Sequence, residues 1–415
     1  MSAQPVMNRW FVVLGAILIQ LALGAIYAWS VFTPTLDKVG WTRLMTQIVF
    51  SVGLASFALV MVKAGRLLPV WGPRKLSLIG GVVLGTGYAL AGFLGGTSFP
   101  ALAVCVGLIG GAGIGLGYVV PIAVGIRWFP DKKGMITGLA VAGFGFGAMG
   151  WVKLAGSWGH LIANYGLSNT FIIYGAIFAG LVILGSTWMV FPPEGWTPEG
   201  YTPAESNGAV ADGGGMDSKA MLKTPQFYII FLTFVFSASA GLMTIGLMKL
   251  YPMEALQAAG VSKAAASGIA GTAMAVFFSL ANGIGRIAWG TMSDVLGRKR
   301  SIIIMTATQG FIVIAFTYMA SNEILLYIGA TLIGFNFGGN FALFPTITAD
   351  TFGAAKVGQN YPFVFLAYGG GGILGPVLGG MLGDMGNFSL AFTICGVMCL
   401  CGAVLTAMLK PPKAA

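Results

Sequence analysis

Twelve apolar runs, each long enough to cross a bilayer, constrain this chain more than any other feature of its sequence. Their limits are 10–33, 44–64, 76–95, 99–126, 135–156, 170–191, 226–248, 267–290, 301–320, 324–347, 361–382 and 388–409. A hydrocarbon core about 30 Å thick takes about 20 helical residues. No water is present there to satisfy backbone N–H and C=O groups, so a run of this length crosses as an α-helix with its hydrogen bonds inside the segment. Only 8% of the residues are charged, against roughly 25% in soluble domains, and the chain reads as an all-α membrane protein. Gly supplies 65 of 415 residues, about twice the usual share, and small residues let membrane helices approach closely. The first run is too long for a signal peptide and lacks its cleavage signature, so it counts as the first span.

An even number of spans puts both termini on one side, and Lys and Arg choose the side. With the termini cytoplasmic, the inner segments hold Arg9, Lys63, Arg66, Arg74, Lys75, Arg127, Lys132, Lys133, Lys219, Lys223, Arg298, Lys299, Arg300, Lys356, Lys410 and Lys413. The outer segments hold only Lys38, Arg43, Lys153, Lys249 and Lys263. The expected location is the plasma membrane, a bacterial inner membrane, with both ends inside. The basic residues are scattered over short loops, so the net charge of +10 is no nucleic-acid footprint. Cys105, Cys395, Cys399 and Cys401 all fall in apolar runs and imply neither a disulfide framework nor a metal site. The longest polar stretch, 192–223, is rich in Pro, Gly, Ser and acidic residues and reads as a largely irregular cytoplasmic linker. It divides the chain into a six-span half at 1–191 and another at 224–415.

The two halves repeat each other. After span 2 comes Gly65-Arg-Leu-Leu-Pro-Val-Trp-Gly72-Pro-Arg74-Lys75; after span 8 comes Gly290-Thr-Met-Ser-Asp-Val-Leu-Gly297-Arg-Lys299-Arg300, at an offset of 225. Pro121 and Gly134 match Pro345 and Gly358 at an offset of 224. Parallel six-helix repeats imply two pseudo-symmetric bundles with a substrate site at the membrane midplane.

Arg286 is the only charge in the run 267–290, and no Asp or Glu lies inside any of the twelve runs. Eight helical residues, or roughly 12 Å, separate it from Asp294 at the expected interface, which puts Arg286 near the bilayer centre. Such a charge is costly without an anionic partner, so the missing counter-charge points to an anionic substrate. The plainer account is an arginine that snorkels or binds backbone carbonyls.

The loop after span 8, Gly-x-x-x-Asp-x-x-Gly-Arg-Lys-Arg, resembles the loop signature of the major facilitator superfamily, and the resemblance covers the whole chain. Its acidic position is Asp294 in the second half and Pro69 in the first, which departs from a symmetric latch. A narrower set is similar to the oxalate/formate antiporter branch, related to the monocarboxylate transporters: Arg127-Trp-Phe-Pro-Asp-Lys-Lys-Gly134, Gly138-Leu-Ala-Val-Ala-Gly143, Met221-Leu-Lys-Thr-Pro-Gln-Phe-Tyr228, Asn8-Arg-Trp-Phe11, and Phe344-Pro345 with Asp350.

That resemblance implies that Arg286 binds a substrate carboxylate, and a guanidinium fork suits a planar carboxylate. Asn282, one turn earlier on the same face, can hold a substrate oxygen or else an interhelical hydrogen bond. Monocarboxylate transporters carry an Asp there for proton transfer; the Asn excludes that route. Tyr118, after the glycine-rich run 110–117 of span 4, and Tyr27 in span 1 can donate to an anion or simply pack. The resemblance makes Phe337 and Phe341 a substrate box, with aromatic filler the alternative. Phe365 and Tyr368 of span 11 complete the candidate set; the oxalate transporters have a lysine at the Tyr368 position. The glycines that follow, with Pro376, suit either a bendable helix or close packing. His160 reads as an interfacial side chain at the outer end of span 5.

The expected function is secondary active transport of small monocarboxylates (lactate, pyruvate, glycolate, acetate or formate) by alternating access, as a monomer, proton-linked or by anion exchange. The alternative is an antiporter of oxalate or another dicarboxylate. No ATP-binding motif, cofactor motif or metal spacing appears. The short loops argue against a sensor with an output domain, and the lack of paired intramembrane acids argues against an enzyme.

Overall fold

A computed structural model describes residues 7–32, 35–36, 38–41, 43–156, 158–200, 215–248 and 250–410. Among them, twelve helices are long and apolar enough to cross a membrane, and there is no β-strand. Spans 1 to 6 are Trp10–Trp29, Ile48–Trp71, Pro73–Phe93, Phe99–Trp128, Lys133–Ala155 and Leu161–Ser186. Spans 7 to 12 are Pro225–Ile245, Lys263–Leu296, Arg298–Met319, Glu323–Phe352, Ala354–Gly383 and Phe388–Ala407.

Several helices overshoot their apolar runs, because a helix continues into the interface where hydropathy falls. Asp294 and Asp350 consequently sit on the last turns of spans 8 and 10 rather than in loops. Pro121 and Pro345 lie inside spans 4 and 10, not at their ends. Span 6 begins nine residues before its run, at Leu161, because a helical piece precedes a break at Gly166 (φ 73°, ψ 176°). His160 sits ahead of that helix at φ 48°.

The chain forms two compact units. The first comprises Met1–Asp131 and Leu139–Thr202; the second comprises Lys132–Gly138 and Pro203–Ala415. Of the 192–223 stretch, residues 201–214 lie outside the described residues, as do Lys249 and Lys413 of the charge tally. The described remainder is partly ordered: a short helix, Ser218–Met221, docks on the second unit. There Ser218 Oγ donates to Asn360 Oδ1 at 2.8 Å, and Asn360 Nδ2 donates to the Met216 carbonyl at 2.9 Å.

The repeated glycines have a conformational cause. Gly72 (φ 75°, ψ 160°) precedes span 3, and Gly297 (φ 85°, ψ 147°) precedes span 9. Both turn the chain between antiparallel helices through a backbone region that residues with a Cβ avoid. Within the first unit, span 3 lies close on span 6: a Cβ on Gly85 would stand 2.6 Å from the Gly175 carbonyl oxygen. Helix pairs of this kind are held by close packing rather than by a hydrophobic effect, which lipid does not supply.

Candidate functional site

Span 8 is not a uniform α-helix. A wider π-helical stretch, Ala273–Phe278, precedes Ser279–Leu296, which carries Asn282 and Arg286. Its neighbour, span 10, approaches backbone to backbone. A Cβ on Gly338 would be 2.2 Å from the Asn282 carbonyl oxygen, and one on Gly285 2.0 Å from that of Phe335. Only glycine allows this contact, and it carries the span 10 aromatics to the height of Arg286.

Arg286 is wholly buried, at 0% exposure. Its Nε donates to Asn282 Oδ1 at 3.1 Å, one helical turn away. Its Cζ lies 4.0 Å from the centre of the Phe341 ring, a distance at which a desolvated guanidinium gains about 2 kcal/mol from the π-face. Phe341 meets Phe337 edge to face, with centroids 5.4 Å apart, and meets Tyr368 at 5.5 Å. Tyr368 in turn stacks on Phe365 at 5.1 Å. Six sequence candidates from three spans (Arg286, Asn282, Phe337, Phe341, Phe365 and Tyr368) thus form one contiguous cluster in the second unit.

The other two candidates belong to the first unit. Tyr118 is buried, and Tyr27 lies on a 3₁₀ segment, Gly24–Val31. Both pack on Phe144 of span 5, at 5.6 Å and 5.0 Å, and Tyr118 also meets Phe57 at 5.0 Å. Gly24 makes this possible, since a Cβ there would stand 2.2 Å from the Phe144 carbonyl oxygen.

Sequence reasoning passed over several participants. Phe144 links the two tyrosines, and Phe57 packs on Tyr118 and Phe144. In the second unit Phe234 stacks on Phe344 at 4.2 Å and reaches Tyr368 at 6.5 Å. Buried amides were also missed. Gln20 donates to the Tyr118 carbonyl at 3.3 Å, and Asn340 accepts from Ser237 Oγ at 2.7 Å. Trp289 Nε1 donates to Asn336 Oδ1 at 3.2 Å. A lone amide in an apolar run was the available signal, because a buried amide must find partners.

Within the second unit, the Asp294 carboxylate accepts from the backbone N–H groups of Gly134 (2.9 Å) and Met135 (2.8 Å) at the start of span 5. Arg298 bridges Asp294 (2.5 Å) and Asp350 (3.1 Å), and Lys133 joins Asp350 at 2.7 Å. A carboxylate at a helix N-terminus gains from both the unpaired N–H groups and the helix dipole. The acidic position of the loop motif is therefore the hub of an ion network. Among the described residues, no group of three or more His, Cys, Asp or Glu side chains stands ready for a metal.

Comparison with known proteins agrees with this architecture. The solved structure of a point variant of the E. coli fucose:proton symporter FucP superposes with a TM-score of 0.68 at 14% identity, over 96% of this chain and 97% of that one. The proton:xylose symporter XylE gives 0.67 at 15%, over 98% and 97%. By sequence, the oxalate:formate antiporter of Oxalobacter formigenes is 28% identical over 97% of this chain and 92% of its own length. The uncharacterized MFS-type transporter YhjX of Escherichia coli is 27% identical over 88% and 86%. The family model of the Major Facilitator Superfamily matches residues 10–278 and 250–415. Twelve spans, the repeated loop motif and these matches converge: the chain belongs to the Major Facilitator Superfamily and is one of its multi-pass membrane transporters.

Proposed function

We propose that this transporter moves small monocarboxylates such as lactate, pyruvate, glycolate, acetate or formate. Alternating access is driven by a proton gradient or by anion exchange. The observation that carries the reading is Arg286: a fully buried cation, oriented by Asn282 and walled by Phe341. A substrate carboxylate pairs with the Nη groups of the guanidinium as a planar fork. Phe337, Phe341 and Phe365 give the short carbon chain an apolar wall, and the Tyr368 hydroxyl donates to an oxygen. The Lys and Arg bias supports cytoplasmic termini in a bacterial inner membrane, with the monomer as the transporting unit. Position 282 is an amide, which excludes proton coupling through it and leaves the bound substrate carboxylate as a proton carrier.

The charge count sets the selectivity. One monocarboxylate on Arg286 makes a neutral pair, whereas a dicarboxylate leaves an uncompensated negative charge. That costs on the order of several kcal/mol after relaxation, and each ~1.4 kcal/mol is about tenfold in affinity. Monoanions are therefore favoured by roughly a hundredfold or more. The test is uptake of labelled lactate into proteoliposomes, with and without a pH gradient. Competition by excess acetate or pyruvate is set against competition by excess oxalate or malonate. Equal inhibition by the dianions refutes the argument. A second reading, exchange of oxalate-type dianions, is favoured by the 28% identity to the Oxalobacter antiporter over nearly the whole chain. Tyr368→Lys separates the two: a second cation at this position moves a monocarboxylate carrier toward dianions.

A further inference from the structure

The first unit holds a cavity of about 440 Å³ at the tip of spans 2, 3 and 6, outside the Arg286 cluster. Its apolar lining includes Trp71, Leu78, Met189 and Phe191, and its cations are Arg74 and Lys75. Arg74 Nη2 donates to the Thr187 carbonyl at the end of span 6, and Lys75 Nζ lies 5.6 Å over the Trp71 ring. The repeat shows what is unusual here. In the second unit, Lys299 makes the contact equivalent to that of Arg74, donating to the Leu409 carbonyl at 2.8 Å. That basic tip has two carboxylates beside it, Asp294 and Asp350, which neutralise Arg298. In the first unit Pro69 replaces the acid and Pro73 replaces the arginine. Among the described residues, neither Arg74 nor Lys75 has a carboxylate within ion-pair distance. Two cations thus border an apolar cavity at a helix boundary, in a unit that lacks both the acid and the arginine found at the equivalent positions of the other.

We propose that this cavity binds an anionic phospholipid, with the headgroup phosphate on Arg74 and Lys75 and the upper acyl chain along spans 3 and 6. Phosphate suits the arginine fork, and tryptophan belongs at headgroup level. The Lys and Arg bias puts this tip on the cytoplasmic side, where basic residues between helices recognise acidic headgroups. The cavity also continues into an apolar face: Leu78, Val82 one turn further on, and Ile183 and Leu184 on span 6 are all exposed. A free phosphate ion would use the two cations but not this face, which is why the occupant is a lipid.

The test titrates phosphatidylglycerol into the delipidated full chain in detergent, read by native mass spectrometry. Phosphatidylcholine and inorganic phosphate are the comparison ligands. Phosphatidylglycerol is expected to bind more tightly than phosphatidylcholine. The double variant Arg74→Gln/Lys75→Gln is expected to weaken it by about 30-fold, from two basic residues at a lipid surface. Lys219→Gln/Lys223→Gln removes the same charge from residues that do not line the cavity and should keep wild-type affinity. The charge-preserving Arg74→Lys/Lys75→Arg should keep most of it, and thermal unfolding of every variant verifies the fold. Three results overturn the proposal: equal loss in both glutamine variants, equal binding of phosphatidylcholine, or displacement of the lipid by inorganic phosphate at comparable concentration.

Discussion

Replacing Arg286 by lysine separates charge from geometry at the proposed site. Lysine keeps a positive charge in a position that is 0% exposed, so the net electrostatics of the span are preserved. Two interactions are lost. The Nε–Asn282 hydrogen bond of 3.1 Å has no equivalent in an ammonium, whose donors all lie at the chain end. The planar stack of Cζ at 4.0 Å from the Phe341 centroid becomes the weaker contact of a strongly hydrated point charge. For the substrate, a bidentate pair becomes a single contact. One hydrogen bond to a charged group is worth about 1.5–3 kcal/mol, or roughly 10- to 150-fold in affinity. The variant should insert and melt near the wild type while KM for lactate in proteoliposomes rises by a factor in that range. Near wild-type KM in the folded lysine variant would refute the bidentate model. Loss of folding instead would assign Arg286 a structural role.

Gly241 faces the Phe337 ring so closely that an added Cβ would stand 2.0 Å from it. Gly241→Ala should therefore displace Phe337 and, through its contact with Phe341, disturb the Arg286 wall, costing about 1–3 kcal/mol. Thermal unfolding and KM should both shift, and adding Phe337→Leu should restore stability. Asp294→Asn removes the charge shared by Arg298 and the first turn of span 5; transport rate should fall with little change in KM, as measured by initial uptake at varied substrate. Asp217 is held below the ordinary carboxylate range by its hydrogen bond from Lys356 and that residue's charge. Its folded pKa is depressed, so the docked linker segment is fully favoured above about pH 4, the unfolded value. The contact is lost as pH falls through the lower folded value. Hydrogen exchange at Ser218–Met221 should accelerate only in that acidic window, and Lys356→Met should abolish the dependence.

The sequence by itself determined the number of spans, their helical nature and the internal repeat. Hydropathy over 20 residues is a local property, and lipid leaves the backbone no alternative to the helix. Gly72 and Gly297 were readable for the same reason, since a turn between two spans demands a conformation that glycine alone adopts easily. Arg286 stood out because an isolated charge in an apolar run is visible without coordinates. Tertiary structure decided the rest. That Asn282 bonds Arg286 could be read from helical spacing, but that Phe341 covers the guanidinium depends on how closely Gly338 lets span 10 approach span 8. The packing of Tyr27 on Phe144, and the capping of span 5 by Asp294, bring together residues more than a hundred positions apart. Periodicity within one helix reports which face is apolar; it does not report which other helix that face meets. Helix ends escaped for a related reason: hydropathy marks where lipid contact stops, whereas hydrogen bonds carry spans 8 and 10 beyond it to Asp294 and Asp350.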